Sequence, residues 1–310
     1  MKDEEQELTG DFAKIAIKIS FSSGNRYANG TTESVIGIAF MAFIVSMGRC
    51  FEAVKKGDFC SNFGEENYWR FLMMDTILFD LDGTLLPLDL DKFTQRYFQE
   101  MGKKFHDLID PKLLVKYIWA ATEVMVNNLE PRRNEEVFME KFGQLIRVED
   151  LPVYQQRFDE FYDQGFLMVR ETVAESPEMQ KSVALLKDKG YRLVIATNPL
   201  FPRKAIYHRI EWAGFKPGDF EYVSCYEQNQ YCKPQIHYYR EVLQAIGKEP
   251  QECMMVGNDV QEDLVAGTLG LKTFLITDYL IHRTGEPIQS TYQGKYPEFL
   301  KFVEELEEVN

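Results

Sequence analysis

Asp80 and Asp82 stand two residues apart, directly after the short apolar run Thr76 to Phe79. If the chain stays extended there, both carboxylates lie on one side and repel each other unless a cation or a shared proton relieves them. Such a pair divides labour. One carboxylate stays ionised as nucleophile or metal ligand, and the other, holding its proton more tightly, works as acid and base. The competing reading is a turn or helix cap made by Asp82 and Gly83, both good turn formers. Gly83 suits a close backbone approach to a phosphate, as does Gly257 at the head of the acidic stretch Gly257-Asn258-Asp259-Val260-Gln261-Glu262-Asp263. His106, His208, His237 and His282 are scattered without the spacing of a triad or a zinc site and read as surface or structural side chains.

These residues need elements that hold them. Thr76 to Phe79 reads as a buried parallel strand that stops at Asp80. Ser176, Pro177 and Glu178 supply a helix N-cap, a first-turn proline and a first-turn acid, Met179, Val183 and Leu186 continue at helical spacing, and Gly190 closes the segment. The pattern then predicts strand Leu193 to Ala196, helix Pro202 to Trp212, strand Tyr222 to Ser224, helix Gln235 to Ala245, strand Cys253 to Val256, helix Gln261 to Leu269 and strand Thr273 to Ile276. This alternation implies an α/β fold, a doubly wound Rossmann-like parallel sheet with its site at the strand C-terminal ends.

Between Pro87 and about Val173 the alternation gives way to helical patterns over Asp91 to Phe105, Pro111 to Asn127, Asn134 to Ile146 and Pro152 to Leu167. The expected organisation is a catalytic core over 73–87 and 174–310 and an inserted all-helical domain over 88–173, placed above the first strand's end. Tyr97, Phe98, Tyr117, Trp119, Phe138, Phe142, Phe158 and Phe161 are read as core of that helical bundle rather than as a ligand box. Arg132 and Arg133 could reach a second anionic group, but paired arginines near a helix start more often form a solvated face. Glu304, Glu305, Glu307 and Glu308 read as a solvated helix face at the terminus.

With 45% hydrophobic and 14% aromatic residues, the 310-residue chain is too apolar to be disordered throughout and is long enough for about two domains. Forty-nine Asp plus Glu against thirty-five Lys plus Arg leave a net charge of -14, which argues against a nucleic-acid partner. The five cysteines, at 50, 60, 225, 232 and 253, include no C-x-x-C pair. A reducing compartment, hence a cytoplasmic location, is expected, with no structural zinc and no disulfide between Cys225 and Cys232. Residues 1–72 do not match the rest. The apolar run Val35 to Met47 falls short of the about 20 residues of a membrane span and does not sit as a secretory signal would. Three readings stay open: an extension that is poorly ordered or partly helical, a start placed too early, and an anchor that makes membrane or partner contact through 34–48.

Phe79-Asp80-Leu81-Asp82-Gly83-Thr84-Leu85 resembles the first motif of the haloacid dehalogenase superfamily, and three further stretches follow in that family's order. Thr197-Asn198 looks like the second motif, Lys233-Pro234 the third and Gly257 to Asp263 the acidic fourth. The resemblance spans Asp75 to about Asp278 and implies a phosphohydrolase that works through an aspartyl-phosphate. It gives Asp80 the role of nucleophile, Asp82 that of acid and base, Thr197 (with Asn198 and Gly83) that of phosphate holder, and Lys233 that of charge stabiliser. It also implies magnesium, a hard cation suited to carboxylate and phosphate oxygens, held by Asp80, the Asp82 carbonyl and one of Asn258 and Asp259. Asp263 would act from behind, orienting Lys233 or the metal's waters.

One departure stands out. The family's first acid of the fourth motif is Asn258 here, and the acid follows at Asp259, which is preferred as ligand for its charge. Asp82 favours phosphate esters over dehalogenation, because protonating an alkoxide leaving group needs a second acid. The insert's position resembles the family's helical cap class and implies a small phosphorylated metabolite as partner. Alternatives are a sugar-phosphate mutase, a catalytically weak binding protein in which Asn258 marks a decayed metal site, and last a 2-haloacid dehalogenase.

Overall fold

In a computed structural model of the protein, residues 74–309 are described. The readings placed on residues 1–72, including the contact through 34–48, and on Cys50 and Cys60 lie outside the described residues. Among those described, no helix is long and apolar enough to cross a membrane.

β1 (Thr76–Phe79) is buried along its whole length and lies inside a six-stranded sheet. With β2 (Arg192–Ile195), β3 (Tyr222–Val223), β4 (Cys253–Gly257), β5 (Lys272–Ile276) and β6 (Tyr292–Gly294) it forms the order β3-β2-β1-β4-β5-β6, all parallel. The chain steps from β1 to β2 on one side and later to β4 on the other, so the order reverses around β1. Phe79 is in register with Ile195 and with Val256. The three strands therefore end within one residue of one another, and Asp80, Thr197 and Asn258, just past them, emerge at one edge, where open α/β sheets bind their ligands.

Alternation along the strands builds two apolar layers. Ile77, Phe79, Leu193, Ile195, Met254 and Val256 belong to one cluster that includes Met179, Val183 and Leu186 of α5 (Pro177–Asp188) and Phe299 and Val303 of α8 (Tyr296–Glu305). Leu78, Val194 and Met255 face the other way, into Tyr238, Tyr239, Val242 and Leu243 of α7 (Ile236–Ile246). Helix starts follow local chemistry. Ser176 Oγ accepts the Met179 N–H at 3.2 Å ahead of Pro177, and the Asp110 carboxylate accepts from Lys112 and Leu113 ahead of Pro111.

The segment 88–173 carries α1 (Leu90–Phe105), α2 (Pro111–Val126), α3 (Asn134–Leu145) and α4 (Leu151–Asp163), each close to its predicted range. The last predicted helix stops at Asp163 and continues from Gly165 to Thr172 as 3-10 turns. Leu88 and Val173 bridge in antiparallel fashion and the Ala174 N–H donates to the Pro87 carbonyl at 2.9 Å, so the insert leaves and rejoins the core at one neck. Its buried rings Phe93, Tyr97, Phe105, Phe158 and Phe161 belong to the same apolar cluster as the sheet's first face.

Two expectations are corrected and one strand is added. The helix predicted from Gln261 to Leu269 is only a 3-10 stretch, Leu264–Leu269, because the Asp259 side chain takes the N–H groups of Gln261 and Glu262 and Gly270 ends the run at φ 100°. β6 was not visible in the pattern, since Tyr292 to Gly294 is short and largely exposed. Glu307 and Glu308 lie beyond α8, which ends at Glu305; the chain turns there, and the Val309 N–H donates to the Lys189 carbonyl.

Candidate active site

The loop after β1 projects Asp80 into a cavity of about 600 Å³ that also reaches Asp82, Gly83, Thr197, Asn198, Lys233, Asn258, Asp259 and Asp263. All nine predicted site residues therefore meet at one place. Asp80 is 8% exposed and its Oδ1 accepts from Lys233 Nζ at 2.8 Å, while the same ammonium reaches Asp263 Oδ1 at 2.6 Å. Lys233 is fully desolvated between two carboxylates on different loops. Burial alone would lower its ammonium, but Asp263 and Asp80 hold it well above its ordinary value. Burial pushes the Asp80 carboxyl the other way, up to about 7, against the pull of Lys233.

Asn198 ties two of the loops together. Its Oδ1 accepts the Lys233 N–H at 3.2 Å and its Nδ2 donates to Glu262 Oε2 at 2.9 Å. Thr197 is buried at the end of β2, its carbonyl held by the Tyr238 hydroxyl at 2.8 Å. At the β4 end, Asn258 packs on the β1 loop. Gly83 has φ +83°, and a Cβ there would come within 2.3 Å of Asn258 Nδ2, so the contact requires glycine. Asn258 Oδ1 accepts from the Thr84 hydroxyl at 3.1 Å, and Nδ2 donates to the Tyr279 carbonyl at 2.6 Å.

Sequence reasoning missed three residues. Arg209, 1% exposed on α6 (Arg203–Trp212), pairs through Nη1 with Asp82 Oδ2, and its guanidinium lies 4.4 Å from the centre of the Phe201 ring. Arg283 Nη1 lies 2.6 Å from Asp259 Oδ2, and its Nη2 is 3.6 Å from Glu262 Oε1. Glu262 is pushed up to about 8, first by burial and then by the charge of Asp259. A signal for Arg209 was present: it shares the apolar face of Ala205, Ile206 and Ile210, where an unpaired charge would be costly.

The aromatic set in the insert is split by the structure. Phe142 and Phe161 are buried core, whereas Tyr97, Phe98, Trp119, Phe138 and Phe158 also line the cavity, which corrects the reading of the whole set as bundle core only. Arg132 and Arg133 do not line it and pair with Glu140 and Glu136 at the surface. The histidines do not line it either, and Cys225 and Cys232 are buried free thiols.

A family model described as haloacid dehalogenase-like hydrolase matches residues 74–268, more than half of the chain and all four strand-end loops. The chain belongs to that family. Among curated relatives of this haloacid dehalogenase-like hydrolase are a phosphoglycolate phosphatase of Aquifex aeolicus, 26% identical over 65% of this chain and 84% of the relative, and a glyceraldehyde 3-phosphate phosphatase of Pyrococcus abyssi, 29% identical over 65% and 80%. Among solved structures, a HAD phosphatase from Thermococcus onnurineus is 18% identical, covering 76% of this chain and all of that one with a TM-score of 0.48.

Proposed function

We propose that this chain is a magnesium-dependent phosphohydrolase that cleaves a small-molecule phosphomonoester through an aspartyl-phosphate on Asp80. The observation that carries the reading is the fully buried Lys233 ammonium, 2.8 Å from Asp80 and 2.6 Å from Asp263, in a cavity that opens onto the ends of β1, β2 and β4. Phosphoryl transfer needs positioning and charge neutralisation more than covalent machinery, and this arrangement supplies both. The relatives named as phosphatases support the same chemistry.

A divalent cation fits the donor set. Seven carboxylates line the cavity (Asp80, Asp82, Asp89, Asp91, Asp259, Glu262 and Asp263) against Lys233 and Arg283, so a phosphate dianion meets net negative charge without one. Among the described residues no three His, Cys, Asp or Glu side chains converge as a metal cage. The donors that remain, Asp80, the Asp82 carbonyl and an amide or carboxylate after β4, suit magnesium, which commonly takes one or two carboxylates and completes its shell with water and phosphate oxygens. Asp259 has Oδ1 engaged by two backbone N–H groups and Oδ2 by Arg283, whereas Asn258 Oδ1 accepts one hydrogen bond, from the Thr84 hydroxyl, and keeps a lone pair; Asn258 is the better third ligand, reversing the preference drawn from charge alone. When bound, magnesium neutralises the charge shared by the phosphoryl oxygens and Asp80.

The protein's own residues then divide the work. Asp80 attacks phosphorus as the bond to the leaving oxygen breaks; Thr197, Asn198 and the backbone at Gly83 hold the phosphoryl oxygens, and Lys233 balances their charge. Asp82 gives its proton to the leaving oxygen. Its Oδ2 faces Arg209, and Oδ1, which makes no hydrogen bond among the described residues, is the oxygen left to exchange that proton. Asp82 then takes a proton from water as the water attacks phosphorus, and the bond to Asp80 breaks to release inorganic phosphate. Residues 88–173 act as a cap that shields this exchange from bulk water, over a catalytic core of 73–87 and 174–310 working in the cytoplasm.

The test is release of para-nitrophenol from para-nitrophenyl phosphate by the full chain with and without magnesium, beside Asp80→Asn. Magnesium-dependent release that disappears in the variant supports the reading. Release that persists in Asp80→Asn would sink it, as would no release from any phosphate ester by folded, magnesium-loaded protein.

A further inference from the structure

Above the polar floor, the cavity wall is apolar, with rings set among aliphatic side chains such as Ile118, Val126, Met139 and Leu200. Phe98, Trp119 and Phe138 from the insert and Phe201 from the core are only half-buried, and each lines the cavity that holds Asp80. Buried Phe93 and Tyr97 extend this wall. The space of about 600 Å³ is the size of pockets that enclose a drug-sized molecule, far more than a two- or three-carbon leaving group fills.

The charges are as informative as the rings. Among the described residues that line the cavity, the insert contributes no Lys, Arg or His; its polar contributions are Asp89, Asp91, Thr94, Gln95 and Thr122, besides the hydroxyls of Tyr97 and Tyr162, which bond to each other at 2.9 Å. The two lining cations belong to the core and are committed, Lys233 to Asp80 and Asp263 and Arg283 to Asp259 and Glu262. Of the insert's own arginines, Arg96 pairs with Glu100 and Glu171 and Arg157 with Asp107, away from the cavity, and Arg170 does not line it. A second carboxylate or phosphate on the leaving group would therefore be desolvated against rings and acids without a free counter-charge. An uncharged aromatic group meets ring faces and edges, and Thr94, Gln95 and Thr122 offer neutral hydrogen bonds to its substituents.

We infer that the substrate is the monophosphate of a bulky, uncharged aromatic alcohol, its ring held by the insert's aromatic wall while the phosphate sits at Asp80. The inference rests on the phosphohydrolase reading and adds the class of leaving group.

The test compares kcat/KM of the magnesium-loaded full chain for 2-(1-naphthyl)ethyl phosphate, glycerol 3-phosphate and phosphoglycolate, all alkyl esters or close analogues, so aryl leaving-group reactivity does not bias the ranking. The naphthylethyl ester is expected to exceed glycerol 3-phosphate by about tenfold or more, with phosphoglycolate lowest. Phe138→Ala should shrink that ratio chiefly through KM, and Phe138→Leu, which keeps the bundle filled, should shrink it less. Calorimetric titration with 2-(1-naphthyl)ethanol reads the pocket without chemistry. Equal or better turnover of phosphoglycolate overturns the inference while leaving the hydrolase reading intact. Binding of the alcohol with no ester hydrolysed supports the pocket's chemistry and sinks the hydrolase reading instead.

Discussion

Asp82 and Arg209, far apart in sequence, form an ion pair in which the arginine is buried and the aspartate keeps contact with the cavity. Arg209 is fixed on three sides: Nε donates to the Ala205 carbonyl at 3.2 Å, Nη1 meets Asp82 Oδ2, and the guanidinium plane lies near Phe201. Such a mount sets the direction of Asp82, because a rigid fork orients a carboxylate as a flexible ammonium does not. Arg209→Met is expected to lower kcat by roughly tenfold to a hundredfold with little change in KM, since acid catalysis depends on aim. Arg209→Lys should recover part of kcat. A matched rise in KM would instead mark Arg209 as a substrate-binding group.

Lys233 separates two carboxylates that would otherwise face each other undiluted. Lys233→Met leaves Asp80 and Asp263 buried without their shared cation and should destabilise the metal-free protein by about 3–5 kcal/mol. Denaturant unfolding with a chelator present measures this. Asp80→Asn should do the opposite above neutral pH, because it removes a carboxylate that burial disfavours while Lys233 keeps Asp263. The variant would be inactive yet melt higher than the parent in chelator at pH 8, a sign that the charge at Asp80 serves chemistry and not stability.

The same physics gives a pH dependence. Carboxyls of this kind ionise near 4 in an unfolded chain, whereas Asp80 is held up to about 7 and Glu262 up to about 8 in the fold. Between those limits the folded state keeps protons that the unfolded chain has released. Their contribution is fully present below about pH 4 and is lost as pH rises through 7 and 8. Glu262→Gln should therefore flatten the decline in melting temperature between pH 5.5 and 8.5 in chelator, by about 5 °C. Magnesium should stabilise the parent more at pH 8.5 than at 5.5, because its ligands must be ionised. A Glu262→Gln curve parallel to the parent's would contradict the assignment.

Much of this site was legible because its residues follow strands whose signals are local. Thr76 to Phe79 is buried, apolar after its first residue and followed by two acids, and the four loops come in the order of the family it resembles, so Asp80, Thr197, Lys233 and Asn258 could be placed before their contacts were known. What could not be read depends on partners distant in sequence. Arg209 meets Asp82 across 127 positions, and Arg283 finds Asp259 across a loop with no periodic signal. The rings of α1 to α4 carry the same helical spacing whether they face each other or a cavity, so periodicity assigns Phe161 correctly to the core and cannot distinguish Phe138 from it. The segment Gln261 to Leu269 has helix-like composition, but the Asx turn at Asp259 diverts its first turn.

Gly257 links backbone sterics to charge. It ends β4 at the rim of the site, and a Cβ there would fall 2.1 Å from Asp263 Oδ2 and 2.6 Å from Asp263 Cβ, so the carboxylate is packed against a bare α-carbon. That position lets Asp263 accept the Asp259 N–H at 2.9 Å through Oδ2 while Oδ1 holds Lys233 at 2.6 Å. Gly257→Ala has to push Asp263 away, because the clash reaches the side chain's root and no rotamer of its tip relieves it. The expected loss is about 1–3 kcal/mol of stability. Lys233 would then lean on Asp80 alone and withhold that carboxylate from phosphorus, so kcat should fall at least about tenfold with every catalytic side chain still present. Asp263→Asn keeps the packing but weakens the ion pair, and its comparison with Gly257→Ala separates the two effects: similar kcat losses with unequal melting temperatures are expected. An active Gly257→Ala enzyme would show that Lys233 is placed without Asp263.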